Sequence, residues 1–289
     1  HQLFDSVRGA GFDIHSDTNA AEPTSADTTS LTSFDTNGFT LSTNVAVNTN
    51  NEDYVAWCWK AADTTTTIAA NTVGNTIASD VRANTAAGFS IVSYTGNFTA
   101  STVGHGLSAA PEMVIVKNRD SATNWWVWHT GLGDGTKYLK LNGTDAVNSV
   151  SSIWNSTVPT TTVFSVGNDG GSNGSGNDII AYCFHSTDYQ KVGSYTGNGS
   201  TSGPTITTGF EPRFLLIKEI DNPNPWFILD SLRDTTNPRS AALIANSSAA
   251  EDNDTTNYKV NFNSDNFQIV TSYHGFNRDE SNYIYLAIA

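Results

Sequence analysis

The sequence contains few cationic residues. Only 14 Lys and Arg stand against 28 Asp and Glu, which gives a net charge of −14 at pH 7. A nucleic-acid-binding surface needs clustered cations to meet the phosphates, and an anionic membrane surface attracts cations in the same way. We therefore predict no nucleic-acid partner. The acidic balance instead favours solubility at high salt or a cationic partner.

Long apolar segments are also missing. No uninterrupted apolar run comes near the roughly 18 residues of a membrane-spanning helix, so we predict no membrane insertion. The sequence begins at His1 without a signal-like segment, which indicates a processed or partial chain.

Charged residues that cover the solvated face of long helices are scarce as well. They make up only 15% of the chain, whereas aromatic residues reach 11% and Gly, Thr and Asn are abundant. Aromatic and β-branched residues favour strands, and Gly and Asn favour turns. The composition therefore predicts an all-β protein.

The sequence repeats itself at an offset of about 101 residues. The pentapeptide SYTGN occurs at Ser93–Asn97 and again at Ser194–Asn198. An apolar strand that ends in Lys117 or Lys218 follows each copy, and NWWVWHT and PWFILDS come next at the same offset. Three ordered matches at nearly one offset predict tandem modules.

A partial copy opens the chain. HQLFDSVRG resembles WFILDSLRD, which aligns Asp5 and Arg8 with Asp230 and Arg233. Each copy closes with an apolar strand that we predict from the sequences YVAWCWK, IIAYCFH and YIYLAIA, beginning at Tyr54, Ile179 and Tyr283.

These matches divide the chain into four segments. Residues 1–62 form an incomplete first β-sandwich unit, and residues 63–86 form a linker rich in Ala, Thr and Asn. Residues 87–187 and 188–289 form two full antiparallel units of β-sandwich size. Because the first unit lacks its SYTGN strand, we expect it to expose unpaired strand edges.

Two hairpins are predicted within the second unit. One joins EMVIVKN to NWWVWHT through a short turn. The other joins TVFSVG to DIIAYCFHS through the loop Asn168–Asp178. This loop is rich in oxygen ligands but lacks EF-hand spacing, so we interpret it as a flexible hairpin tip, with a calcium or receptor contact as the alternative.

The two cysteines occupy the same place in two repeated strands. Cys58 and Cys183 both have aromatic neighbours, and Ala287 takes their place in the third copy. A free cysteine in such surroundings behaves as a small apolar side chain, so we predict that both pack in a core. A disulfide or a catalytic thiol is the alternative.

No histidine spacing indicates a metal site. His105, His129 and His185 share one unit without a His-x-x-x-His pattern. His129 occupies the position of Asp5 and Asp230 in the other copies, which indicates a polar residue at a strand end without fixed chemistry.

The repeated pattern Asp-Ser-x-Arg is interpreted as a structural ion pair or turn cap after a strand. A catalytic role would need paired carboxylates, or a nucleophile with a base, in every copy. The sequence also lacks a GxSxG motif and a phosphate-binding loop. We therefore assign no catalytic, metal-binding or cofactor-binding residue and no cofactor.

The tryptophans of NWWVWH should alternate between the two faces of a strand. Trp126 and Trp128 would face one side, and Trp125 and Val127 the other. One set should pack in the core, whereas the other could pack too, or form a sugar-binding platform or an interface anchor.

The ordered motifs resemble a known family. GFSIVSYTGN, MVIVKNR, NWWVWH and YCF, followed by GSYTGNGS, LLIK and YIYLAIA, are similar to a repeated domain of tailed bacteriophages. That domain occurs in large virion structural proteins of marine phages and cyanophages. The resemblance covers roughly residues 1–62 and 87–289, and it implies tandem β-sandwich modules of the lectin or laminin-G-like jelly-roll type.

The resemblance also implies a function. It indicates a non-enzymatic virion structural protein, such as a tail fibre, spike or capsid decoration, that attaches the extracellular particle to a host-surface glycan or protein. Other virion proteins would be its partners, and a homo-oligomer such as a trimer is expected because appendages of this kind are commonly trimers. The alternatives are a secreted carbohydrate-binding module and a polysaccharide depolymerase. The sequence does not define the receptor-binding residues.

Overall fold

The structure is a computed structural model that describes residues 1–289. The prediction of an all-β protein is confirmed, because nearly all regular structure consists of antiparallel sheets. The four helices have four residues each, and none has the length and apolar character needed to cross a membrane. The finer assignment to a lectin-like jelly roll stays a prediction.

Residues 1–62, the first unit, contain two small ribbons and one helical turn. β1 pairs with β2, and β3 pairs with β4. The elements are β1 (Gln2–Leu3), β2 (Ile14–His15), β3 (Leu31–Asp35), β4 (Gly38–Leu41) and α1 (Val45–Asn48).

Residues 63–187, the middle module, form an eight-stranded sheet that packs on a two-stranded sheet. The elements are β5 (Thr66–Ile68), β6 (Ser79–Asn84), β7 (Phe89–Thr95), β8 (Ser101–Gly104), β9 (Met113–Asn118), β10 (Trp126–His129), β11 (Lys137–Lys140), β12 (Asn148–Ser149), α2 (Ser151–Trp154), β13 (Val163–Val166), α3 (Gly170–Asn173) and β14 (Asp178–Phe184). The large sheet has the order β12-β11-β10-β9-β14-β7-β6-β5, and the small sheet is β13-β8.

Residues 188–289, the third module, repeat this plan with six strands against three. The elements are β15 (Gln190–Thr196), β16 (Thr205–Thr207), β17 (Phe214–Glu219), β18 (Phe227–Asp230), β19 (Ala241–Ile244), β20 (Asp252–Asn253), β21 (Val260–Asn263), β22 (Asn266–Ile269), α4 (His274–Asn277) and β23 (Asn282–Ile288). The sheet orders are β15-β23-β17-β18-β19-β20 and β16-β22-β21.

The closing strands β14 and β23 are each paired with a strand on both sides and are buried on both faces. Ile179, Ala181 and Cys183 face the module's own core, between its large and small sheets. Tyr182 and its neighbours in alternation face the opposite way, into a core shared with the other units. This double burial explains why both strands read as nearly continuous apolar runs.

The shared core, called the central core below, contains 22 buried residues from all three units. The large sheets of the middle and third modules supply most of them, and the first unit supplies Ile14. Trp57 and Trp59 of the first unit pack against its edge. Fully burying one large apolar side chain contributes roughly 1.5–3 kcal/mol, so this core is the main link between the units.

The prediction that residues 63–86 are a linker is wrong. β6 pairs with β7 along its whole length, and β5 pairs with β6. Alternation along β6 places Ser79 and Val81 inward and Asp80 outward. This pattern suits a strand near a sheet edge with one solvated face, and abundant Ala, Thr and Asn concealed it.

One of the two predicted hairpins is confirmed and the other is wrong. β9 pairs with β10, with Val127 opposite Ile115. β13 and β14 instead lie in different sheets, because β13 pairs with β8 and β14 pairs with β7 and β9. The loop between them contains α3 and crosses from one sheet to the other.

The predicted closing strand of the first unit is also wrong. Exposed and half-buried side chains alternate along Tyr54–Lys60, but the main chain of this segment forms no backbone–backbone hydrogen bond to a strand. Its one hydrogen bond to β6 joins the Lys60 carbonyl to the Asn84 side chain. The expected unpaired edge is therefore present. Its counterpart β23 pairs with β15 on one side and β17 on the other, and the first unit has no strands equivalent to those two.

Repeat-equivalent phenylalanines should differ sharply in their contribution to stability. Phe262 is 2% exposed in the third module, whereas its counterpart Phe34 in the first unit is 44% exposed. We expect Phe262→Ala to lower the free energy of unfolding by roughly 3–5 kcal/mol because it leaves a cavity, and Phe34→Ala to lower it by less than about 1 kcal/mol. Urea unfolding followed by tryptophan fluorescence measures both. Equal losses would contradict the open arrangement of the first unit.

Candidate functional site

The three units contact one another in a closed ring. In each contact, one of the repeat-equivalent residues Asp5, His129 and Asp230 bonds to the closing segment of another unit. The contacts are Tyr182 Oη to Asp5 Oδ2 at 2.7 Å, His129 Nε2 to the Tyr285 carbonyl at 3.3 Å, and Trp57 Nε1 to Asp230 Oδ2 at 3.3 Å. The third contact returns to the first unit, so the ring closes around the central core.

The Asp-Ser-x-Arg pattern is confirmed as a structural turn cap and ion pair. Asp5 Oδ1 accepts hydrogen bonds from the backbone of Val7 and Arg8 at 2.9 Å. Asp230 caps its own turn in the same way and pairs with Arg233. Burial alone would raise the pKa of Asp5, but the charge of Arg8 and the hydrogen bonds from Arg8 and Tyr182 lower it.

Glu22 connects the first unit to the middle module. Its Oε1 lies 2.7 Å from an Arg8 guanidinium nitrogen, and its Oε2 accepts from Arg119 Nε and Nη2 at 2.8 and 2.6 Å. The carboxylate is buried between the two arginines. Removing one partner of such a network would leave a buried charge, which makes the contact specific.

Two buried lysines repeat a second contact between successive units. Lys117 Nζ donates to the carbonyls of Asn118 at 2.8 Å and of Asn19, in the first unit, at 3.4 Å. Lys218 Nζ makes the matching bond to the Thr144 carbonyl of the middle module at 3.3 Å. Burial lowers the pKa of each lysine to about 8, so both still carry a charge at neutral pH.

The two repeated tryptophans make a matching pair of contacts beside these lysines. Trp125 Nε1 donates to the His15 carbonyl at 2.9 Å, and Trp226 Nε1 donates to the Lys140 carbonyl at 2.9 Å. Each tryptophan therefore satisfies its polar atom on the preceding unit while its ring fills the central core.

The predicted alternation of NWWVWH is confirmed, and both faces are packed. Trp125 and Val127 lie in the central core, and Trp128 lies in the middle module's own core. Trp126 is half-buried, donates to Asp169 Oδ1 at 2.8 Å and packs edge-on against Tyr138. Trp125 and Trp128 are thus buried in cores, and Trp126 is held by Asp169 and Tyr138.

The buried histidines serve structural bonds. Gly131 N donates to His129 Nδ1 at 2.9 Å, so Nε2 carries the proton that reaches Tyr285. His105 accepts from Leu107 N and lies 3.1 Å from the Thr160 carbonyl. Burial lowers the pKa of both rings to about 4. Nowhere in the chain do three His, Cys, Asp or Glu side chains converge to hold a metal ion.

The loop Asn168–Asp178 is a structural crossing and not a flexible tip, which corrects the sequence interpretation. Asp169 Oδ1 accepts from Gly171 N and Ser172 N and so caps α3. Asn173, at the end of α3, is fully buried. Asp169 Oδ1 and Asn173 Oδ1, two of the oxygen atoms that resembled a calcium loop, thus accept hydrogen bonds within the protein.

The buried asparagine before each closing strand holds the turn of the SYTGN signature. Asn173 Oδ1 accepts from Asn97 N at 2.9 Å, and its Nδ2 donates to the carbonyls of Thr99 and Gly167, both at 2.7 Å. In the third module, Asn277 makes the same bonds to Asn198 N, the Ser200 carbonyl and the Thr271 carbonyl, at 2.8, 2.7 and 2.8 Å.

The tyrosine and the glycine of the SYTGN signature are also explained by contacts within their own module. Tyr94 Oη donates to the Ser172 carbonyl at 2.6 Å, and Tyr195 Oη donates to the Phe276 carbonyl at 2.8 Å. A Cβ on Gly96 would lie 2.3 Å from the Gly174 carbonyl oxygen, so only glycine fits there. Sequence reasoning missed the clamping asparagine, although an Asn precedes the closing segment in every copy, at positions 48, 173 and 277.

The first unit lacks the strands that would cover its own inner face. Phe34, Phe39 and Tyr54 are 44%, 37% and 51% exposed, and Ala56 and Cys58 are exposed too. We call these five residues the open face. All their counterparts in the third module are buried, namely Phe262, Phe267, Tyr283, Tyr285 and Ala287.

The two cysteines therefore have different surroundings. Cys183 is fully buried, as predicted, and burial raises the pKa of its thiol. The prediction that Cys58 packs in a core is wrong, because no strand covers the open face where it lies. Both thiols are free.

Comparison with known proteins identifies a family without an assigned activity. The family model that matches is described as Domain of unknown function (DUF7483), and the match spans residues 1–289. No curated protein and no solved structure matches the chain.

The exposed and buried thiols should react at very different rates. We expect Cys58 to react with an uncharged maleimide in minutes under native conditions and Cys183 to stay unmodified, because a thiol must be accessible and ionised to react. Intact mass spectrometry should show one adduct on the folded chain and two in urea. The variant Cys58→Ser is the control, and an adduct on that folded variant would contradict the assignment.

Replacing His129 with Asn should reduce the sensitivity of the protein to acid. The pKa of His129 is about 4 in the folded state against 6.5 ordinarily, so the unfolded state binds more protons between these values. The free energy of unfolding therefore falls as the pH drops from 6.5 toward 4. Between pH 7 and pH 5 the His129 contribution to this loss is roughly 2 kcal/mol.

Urea titrations at pH 7 and pH 5 measure this effect. Asn retains an oxygen that can accept from Gly131 N, as Asp5 and Asp230 do at the same position. The loss of stability should be smaller in the variant than in the natural sequence. His105, whose pKa is also about 4, should preserve part of the loss in both proteins. Identical losses would contradict a buried neutral His129.

Proposed function

We propose that this chain, which belongs to the DUF7483 family over its whole length, is a non-enzymatic structural component of a tailed-bacteriophage particle. Within the particle it would form part of an appendage, such as a tail fibre, spike or capsid decoration, that contributes to host attachment. The proposal combines the resemblance of the repeated motifs to phage virion domains with the chemistry of the buried charges.

The main support for the proposal is that the buried carboxylates form ion pairs with arginines. Asp5, Glu22, Asp230 and Glu219 each lie against an arginine. A depolymerase of the common glycosidase type needs two carboxyl groups beside the scissile bond, one that protonates the leaving oxygen and one that activates water or attacks the sugar. Carboxylates held in ion pairs that join turns and units are poorly suited to that task.

The tryptophans support the same choice between alternatives. A carbohydrate-binding module commonly offers an exposed aromatic ring on which a sugar can stack. Trp125 and Trp226 are 0% and 1% exposed, and both donate to carbonyls of the preceding unit. These rings are committed to joining units, which favours a structural role over a sugar-binding one.

The closed ring of three units also suits an appendage. Many phage appendages are trimers, and here three related units in one chain surround a common core. The net charge of −14 keeps such a particle component soluble and limits non-specific contact with nucleic acid during packaging.

Mass spectrometry of purified phage particles tests the proposal. We expect peptides from both modules in gradient-purified particles at a stoichiometry typical of an appendage, and density for the three-unit ring in a particle reconstruction. Particles that lack the chain entirely would refute the proposal. Release of reducing sugar ends from host capsular polysaccharide by the purified chain would refute the non-enzymatic assignment, with heat-denatured chain as the control.

A further inference from the structure

We propose that the open face binds an extended polypeptide segment that carries the Ser-Tyr-Thr-Gly-Asn signature and comes from outside residues 1–289. The segment would add as a β-strand beside Tyr54–Lys60 and cover Phe34 and Phe39. This inference concerns the partner of the first unit, and it goes beyond the proposed function without depending on it.

The backbone of residues Tyr54–Lys60 is ready for strand addition. Exposed and half-buried side chains alternate along the segment, as they do along a strand, and its main chain forms no backbone–backbone hydrogen bond. Only the Lys60 carbonyl at its end is bonded, to the side chain of Asn84. Trp57 and Trp59 anchor one of its faces, because both rings meet Phe214 edge-on with centroids 5.5 and 5.4 Å away. An anchored segment with strand-like alternation and unpaired backbone N–H and C=O groups from Tyr54 to Trp59 is a suitable template for β-augmentation.

The first unit also keeps the local geometry of the complete modules. Tyr54 Oη lies 2.9 Å from both the Val45 carbonyl and Thr49 N. Tyr283 makes the same two bonds across α4, to the His274 carbonyl and Arg278 N. The region around α1 in the first unit therefore has the same local structure as the region around α4 in the third module, although the first unit lacks the equivalents of β15 and β17.

Asn48, the first-unit counterpart of Asn173 and Asn277, makes one of the three hydrogen bonds that Asn277 makes. Asn48 Nδ2 donates to the Ser42 carbonyl at 2.6 Å, which matches the bond from Asn277 to the Thr271 carbonyl. Asn48 Oδ1 has no hydrogen-bond donor, whereas Asn277 Oδ1 accepts from Asn198 N. The missing donor is the backbone N–H of a signature asparagine.

The third module shows what covers this surface. Tyr195 of the signature stacks on Tyr283, with ring centroids 4.8 Å apart and an angle of 6° between the planes. Tyr54 is the counterpart of Tyr283, and it is half exposed. A signature tyrosine from the incoming segment would stack on Tyr54 and donate its hydroxyl to the Val47 carbonyl, the counterpart of the Phe276 carbonyl.

A second copy of this chain is not the occupant that we infer. Its two signatures already use their tyrosines and asparagines, since Tyr94 and Tyr195 are buried and bonded, and Asn97 and Asn198 bond to their clamps. Either signature would have to leave its own module to dock elsewhere. A segment that is not already folded into a module has no such cost.

The reactivity of Cys58 reports directly on occupancy of the open face. The test uses the full chain with a synthetic peptide of residues 188–202, which carries the second signature, added in excess. A second protein carries a copy of residues 188–225 ahead of His1, the arrangement that precedes Trp226 in the third module. We expect maleimide labelling of Cys58 to slow at least tenfold in the second protein, and in the first as the peptide saturates.

Matched variants separate docking from unfolding. Asn48→Ala should leave the unfolding midpoint unchanged and weaken peptide protection at least tenfold, and a peptide with Ala in place of its Tyr and signature Asn should give no protection. Val158→Asp, an exposed position in the middle module, should change nothing. The proposal is overturned if Cys58 labels at the same rate in the extended chain, or if the chain protects Cys58 by self-association without added segment.

Discussion

Burial of both faces of each closing strand is the constraint on which the structure depends. One face of β14 and β23 completes a module's own core, and the other supplies the central core that all three units share. Neither module can therefore lose its closing strand without also losing the joint between units. In the first unit the same alternation persists with only one face satisfied, because Trp57 and Trp59 reach the central core while Cys58 faces solvent. Folding of this chain is thus coupled across units, unlike a string of independent domains.

Polar groups give the ring its register. Apolar contacts alone would tolerate sliding of one sheet over another, whereas a buried charge must meet its partner or bear a large desolvation penalty. Lys117 and Lys218 fix the distance between successive units by bonding to carbonyls of the preceding one, and Glu22 does so through Arg8 and Arg119.

The sequence predicted features that local periodicity and self-similarity determine. The all-β class, the β9–β10 hairpin, the alternation of Trp125 and Trp126, and the Asp5–Arg8 cap all follow from short-range patterns. The failures have one physical origin, which is that strand pairing depends on partners distant in sequence. Residues 63–86 contain strands because β7 has a free edge with which β6 pairs. Tyr54–Lys60 stays unpaired because the first unit has no neighbouring strand for it. The core assignment of Cys58 failed for the same reason, since burial belongs to the assembled sheet.

The three related units of the ring differ in whether their inner face is covered, and this difference sets the number of equivalent binding positions on the chain. If all three units were complete, the ring would present three equivalent surfaces or none to the outside. Because only the first unit has an uncovered inner face, the ring has one distinguished position and a defined direction around its axis. A partner recognising that position would bind once per chain despite the threefold repetition.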